Sequence, residues 1–105
     1  MKRVGFQFRV LSDRLDEYKE RHKSVWPEML QALRQAGWRN YTLFARPDGL
    51  IFGYFETDDS LQTALARMAA TEINARWQAF MAEFNISAEH LDDTFIELEE
   101  YFHLD

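Results

Sequence analysis

Val4, Phe6, Phe8 and Val10 alternate with Gly5, Gln7 and Arg9, and a period of two marks a strand with one buried face. The pattern predicts a first strand over residues 4–10. Ser12 and Asp13 then offer a helix cap, and Leu15, Tyr18 and His22 recur at steps of three and four, which sets them on one helical face. A second helix is expected to restart at Pro27, which suits a first turn, and to carry Met29, Leu30 and Leu33 inward until Gly37 ends it. The break between the two helices falls near Lys23 to Val25.

Further strands are expected over 38–46 and 50–56, joined by Arg46-Pro47-Asp48-Gly49 as a tight turn and so paired as a hairpin. Strict alternation puts Trp38, Asn40, Thr42 and Phe44 on one face of the first, and Arg39, Tyr41, Leu43 and Ala45 on the other. Asp58-Asp59-Ser60 caps a helix carrying Leu61, Leu65 and Met68, and Thr71 caps another carrying Ile73, Trp77, Phe80, Met81 and Phe84. After a polar stretch from Asn85 to Asp93, a last strand is expected to hold Ile96, Leu98, Phe102 and Leu104 on one face. The order β-α-β-β-α-β, with each helical region split, is the ferredoxin-like α+β pattern: an antiparallel sheet with helices on one face. The other face keeps apolar positions, so a second subunit is expected to cover it, giving a homodimer.

Composition narrows the partners. With 105 residues the chain is expected to form one domain over 1–105, too small to enclose a deep site. A formal charge of −6 argues against nucleic acid or an anionic membrane surface, both of which select clustered cations. The chain has no cysteine, no apolar run of signal-peptide type and no segment of membrane-spanning length, so a cytoplasmic location is expected. Aromatic residues make up 15% of the chain, enough that some should serve a ligand, and a neutral one fits the charge.

Candidate chemistry begins at Tyr18 and His22. Their four-residue step sets phenol beside imidazole, and histidine exchanges protons near neutral pH. The spacing alone favours a packed helix end over catalysis. Trp26, Tyr41, Tyr54, Trp77 and Tyr101 combine apolar faces with polar edges, which suits a sugar, although either Trp taken singly reads as core. The three histidines show no metal-ligand spacing, and neither a Gly-rich phosphate loop nor a serine nucleophile elbow is present.

The string Glu17-Tyr18-Lys19-Glu20-Arg21-His22-Lys23-Ser24-Val25-Trp26-Pro27-Glu28 resembles the EYxxRHxxxWPE segment of the L-rhamnose mutarotase family. Asn40-Tyr41, Leu50-Ile51-Phe52-Gly53, Arg76-Trp77 and Phe102-His103-Leu104 also look like that family, so the resemblance spans nearly the whole chain. It implies a dimeric ferredoxin-like enzyme that interconverts sugar anomers without metal or cofactor. It further implies His22 as proton donor, Tyr18 and Tyr41 as sugar-binding tyrosines, and a sugar wall at Arg76 and Trp77, where the family usually has two tryptophans. The stretch from Asn85 to Thr94 lacks the family's usual Asn-Pro-Asp-Asn-Ser-Pro run. Both departures bear on which sugar is used. Two rival readings stand beside this one: a monooxygenase of the antibiotic-synthesis type and a non-catalytic dimer that binds small ligands.

Overall fold

The computed structural model describes residues 1–87 and 90–105. Strand β1 (Lys2–Arg9) lies in the middle of a four-stranded antiparallel sheet with β2 (Arg39–Ala45), β3 (Leu50–Thr57) and β4 (Ile96–Leu98), in the order β2-β3-β1-β4. That order is the ferredoxin-like one. Helices α1 (Leu15–Arg21), α2 (Pro27–Gln35), α3 (Leu61–Ala69) and α4 (Glu72–Met81) connect the strands and pack against one face of the sheet.

The alternation in β1 does what a period of two requires. Val4, Phe6, Phe8 and Val10 are each at most 4% exposed and form the centre of the core. Phe6 needs its partner across the sheet to be small: a Cβ built on Gly53 would fall 2.2 Å from the Phe6 ring. Two of the three expected helix caps form, with the Ser60 and Thr71 hydroxyls accepting from the backbone N–H of Thr63 and Asn74. The cap expected at Ser12 and Asp13 does not, because those residues lie in a 3-10 turn over Ser12–Arg14 and α1 begins after Arg14 with no side-chain cap. The expected break after α1 is a 3-10 turn over His22–Ser24, followed by extended Val25 and Trp26, and α2 restarts at Pro27.

Two further expectations need correction. Strict alternation in β2 fails at a bulge, where Arg39 and Thr42 face Glu56 and Tyr54, three residues spanning the length of two. Asn40 takes up the extra length with φ 53°, a left-handed conformation that Asn tolerates better than most residues, and its side-chain amide donates to Glu56. The bulge turns Tyr41 and Leu43 toward the helices on the same side as Trp38, whereas Asn40, Thr42 and Phe44 are exposed. The last strand is also shorter than expected. It stops at Leu98, and Phe102 and Leu104 lie exposed beyond it. Its inward anchor is Phe95, stacked on Phe6 and Phe8 with ring centroids 4.3 and 4.8 Å apart. In the polar stretch expected over 85–93, residues 88 and 89 lie outside the described residues.

Candidate active site

Between the sheet and the helices is a cavity of about 360 Å³, lined by residues from β1, α1, α2, β2, α4 and the segment before β4. Its volume lies at the lower end of the ~300–1,000 Å³ usual for small-molecule sites. The walls are mostly apolar, and among the described residues Tyr18, His22, Tyr41, Asn74, Gln78 and Asp92 bring side-chain polar atoms to them.

His22 enters from the turn that ends α1. Its Nδ1 is 3.0 Å from the Tyr18 carbonyl oxygen, which only accepts, so Nδ1 carries the proton in the neutral ring. Nε2 is left as the exchangeable nitrogen, and among the described residues it has no protein partner. Burial pushes the imidazole pKa down, and the Tyr18 carbonyl partly opposes this. The Tyr18 ring lies 4.6 Å from that of His22 and is 4% exposed, and the hydroxyl of neither Tyr18 nor Tyr41 meets a hydrogen-bonding partner among the described residues. Burial raises both phenols above their ordinary value, the nearby Asp92 charge raises both further, and Tyr18 adds to the effect on Tyr41. At neutral pH both are therefore O–H groups that can donate to and accept from a ligand.

Trp77 stands on α4 with its ring perpendicular to His22 at 5.8 Å and to Trp26 at 5.0 Å. The indole is thus fixed from behind and offers the cavity an apolar wall. Asn74 and Gln78, one turn apart on the same helix, share this face. Arg76 does not. Two positions along from Asn74, it pairs with Glu28 of α2 at 3.8 Å and borders a separate groove with Trp26, Pro27 and Ile73. The fold thus does not bring Arg76 to the cavity that holds the other expected site residues: neighbours on a helix diverge by about 100°, and Trp77 holds the inward position.

A family model described as L-rhamnose mutarotase matches residues 3–104. The chain belongs to the L-rhamnose mutarotase family. L-rhamnose mutarotases of Oceanobacillus iheyensis and Bacillus subtilis are 38% and 36% identical to it, with complete coverage of both sequences in each case. The crystal structure of an L-rhamnose mutarotase from Formosa agariphila superimposes with a TM-score of 0.79 at 27% identity, again over the whole of each chain. Membership makes the chain an isomerase of the sugar-mutarotase class. It also makes His22, Tyr18, Tyr41 and Trp77, which the fold brings to one cavity, the members of the expected set to be tested for roles in that reaction.

Sequence reasoning missed Asn74, Gln78 and Asp92. Asn74 and Gln78 follow the same helical stripe as Trp77 and Met81, a signal that reading the stripe for apolar residues alone passes over. Asp92 lay in a stretch read simply as polar, and only the folded chain shows that burial pushes its carboxyl pKa up.

Proposed function

We propose that the protein interconverts the α and β pyranose forms of L-rhamnose or a related 6-deoxyhexose, as one domain spanning residues 1–105 and with no metal or cofactor. The observation that supports this most is the convergence of Tyr18, His22, Tyr41 and Trp77 on one small apolar cavity, where the two phenol hydroxyls and His22 Nε2 meet no hydrogen-bonding partner among the described residues. Opening a pyranose breaks the C1–O5 bond, which requires a proton at O5 and the loss of one from the anomeric hydroxyl. In this reading His22 Nε2 delivers the proton to O5, because its Nδ1–H is fixed on the Tyr18 carbonyl in either charge state. Tyr18 and Tyr41 hold sugar hydroxyls, and the apolar face of Trp77 packs against the C–H face of the ring. Anomer exchange proceeds slowly in water without help, so positioning and one proton relay suffice.

The reading extends to a homodimer in the cytoplasm. In register across the uncovered sheet face run Phe44, Phe52, Gln7 and Ile96, and beside them Thr42, Tyr54, Gly5 and Leu98. Phe44 and Ile96 are 61% and 58% exposed, apolar area that a second copy would remove from water. Among the described residues no helix is long and apolar enough to cross a membrane.

Polarimetry of freshly dissolved aldoses tests the activity. L-Rhamnose or a close 6-deoxyhexose should reach its equilibrium rotation faster with protein than without, in chelator-treated buffer. If every sugar of a broad panel relaxes at the buffer rate, the non-catalytic binding module takes the place of this reading.

A further inference from the structure

Ring opening needs a base as well as an acid, and the cavity holds a second ionisable group that none of the roles above uses. Asp92 lines the same wall as His22, Tyr18 and Tyr41, and its charge reaches both phenols. Among the described residues two side chains serve it: Gln78 Nε2 donates to one oxygen at 3.2 Å, and Asn74 Nδ2 to the other at 3.5 Å. These are long, neutral hydrogen bonds, and an ionised carboxylate can accept about four. No Arg or Lys pairs with it among the described residues. A partly buried carboxylate so lightly held still has room for a donor from a ligand in the cavity.

We propose that Asp92 is the second proton-transfer group of this site, the base that takes the anomeric proton while His22 protonates the ring oxygen. The inference rests on the mutarotase reading and assigns the role left open there. In the forward step Asp92 removes the O1 proton, C1=O1 forms, and the C1–O5 electron pair passes to O5, which takes a proton from His22 Nε2. Rotation about C1–C2 presents the other carbonyl face. O5 then adds to C1 and returns its proton to His22, while O1 recovers its proton from Asp92, so both groups end as they began. Burial moves the two groups toward one another, the carboxyl upward and the imidazole downward. That lowers the mismatch in a relay through the sugar. The Asn74 and Gln78 amides, one helical turn apart, aim the carboxylate without neutralising it.

The test compares the wild type with Asp92→Asn, Asp92→Ala and His22→Ala, using L-rhamnose anomer exchange and sugar affinity measured separately by titration. Asp92→Asn keeps the shape and one acceptor oxygen. It should lose about 100-fold or more of the enzymatic rate while sugar affinity stays within a few-fold. Formate should restore part of the rate to Asp92→Ala beyond its effect on the sugar alone, as imidazole should for His22→Ala. Asp92→Asn at near wild-type rate, with His22→Ala inactive, overturns the role of Asp92 and leaves the mutarotase reading intact. A loss in Asp92→Ala that formate does not relieve, when imidazole rescues His22→Ala, overturns it as well and leaves the carboxylate a structural part. If the wild type itself does not accelerate exchange, both readings fall together. Asp92→Ala with formate decides the matter even if Asp92→Asn does not fold.

Discussion

An imidazole is ambiguous until its hydrogen bonds are known, and the Tyr18 carbonyl 3.0 Å from Nδ1 removes the ambiguity at His22. The ring is held on the main chain and exchanges through its other nitrogen, so His22→Ala should cost about 100- to 10,000-fold in exchange rate with little change in melting temperature. Tyr18→Phe should weaken sugar binding and keep part of the turnover, because the ring that packs on His22 and Phe84 remains. Arg76→Ala should alter neither rate nor sugar preference, since its guanidinium lies beside Glu28 and borders a groove separate from the cavity. Polarimetric rates with melting curves on the three variants separate these outcomes. The His22 pKa makes a second prediction. It is held below the ordinary 6.5, so as pH falls from neutrality the unfolded chain takes up this proton before the folded one does. The His22 contribution therefore lowers stability progressively from 6.5 down through the folded pKa and is absent above that window. Urea midpoints at about pH 7.5 and about pH 5.5 should differ less in His22→Gln than in wild type. Asp92, raised above its ordinary 3.8, acts in the opposite sense over a window that runs upward from 3.8, so Asp92→Asn serves as the contrasting control.

Among the elements, β2 shows where reading the sequence succeeds and where it stops. The strand, its hairpin partner and the turn at 46–49 follow from alternation and turn chemistry, yet alternation separates Trp38 from Tyr41, and the fold puts both on the helix side. The cause is a bulge whose one extra residue is visible only once β2 is paired with β3. The same limit hid Asp92: a carboxylate in a polar stretch looks solvated until the helix carrying Asn74 and Gln78 closes over it. By contrast Tyr18 and His22 needed only a helix, because a four-residue step fixes their proximity wherever that helix packs. Asn40 is therefore the residue on which the position of Tyr41 depends. Asn40→Val places a β-branched side chain at φ 53°, which should cost roughly 1–2 kcal/mol. It should also weaken sugar affinity more than Asn40→Gly does, because glycine keeps the bulge. Denaturation and sugar titration of both variants check this, and equal affinities would mean that the bulge does not position Tyr41.

For the molecule as a whole, helices cover one sheet face and leave the other with two ordered rows that include Phe44, Phe52, Ile96 and Leu98. The proposed second copy accounts for the retention of such residues on a face exposed in the single chain. Light scattering at micromolar concentration should report about twice 12.5 kDa, and Phe44→Glu should shift the population toward 12.5 kDa by placing a charge in the middle of that face. A wild-type protein that scatters as a monomer would remove the dimer from the account without touching the chemistry. The chemistry itself is tested most directly by saturation-transfer NMR on L-rhamnose at anomeric equilibrium, in buffer treated with chelator. Saturating the H1 resonance of one anomer should diminish the H1 resonance of the other when wild-type protein is present, and should leave it at the buffer level when His22→Ala replaces it. Transfer at the buffer level with folded wild-type protein, for L-rhamnose and for a panel of related hexoses, would contradict the central claim that this cavity is a mutarotase site.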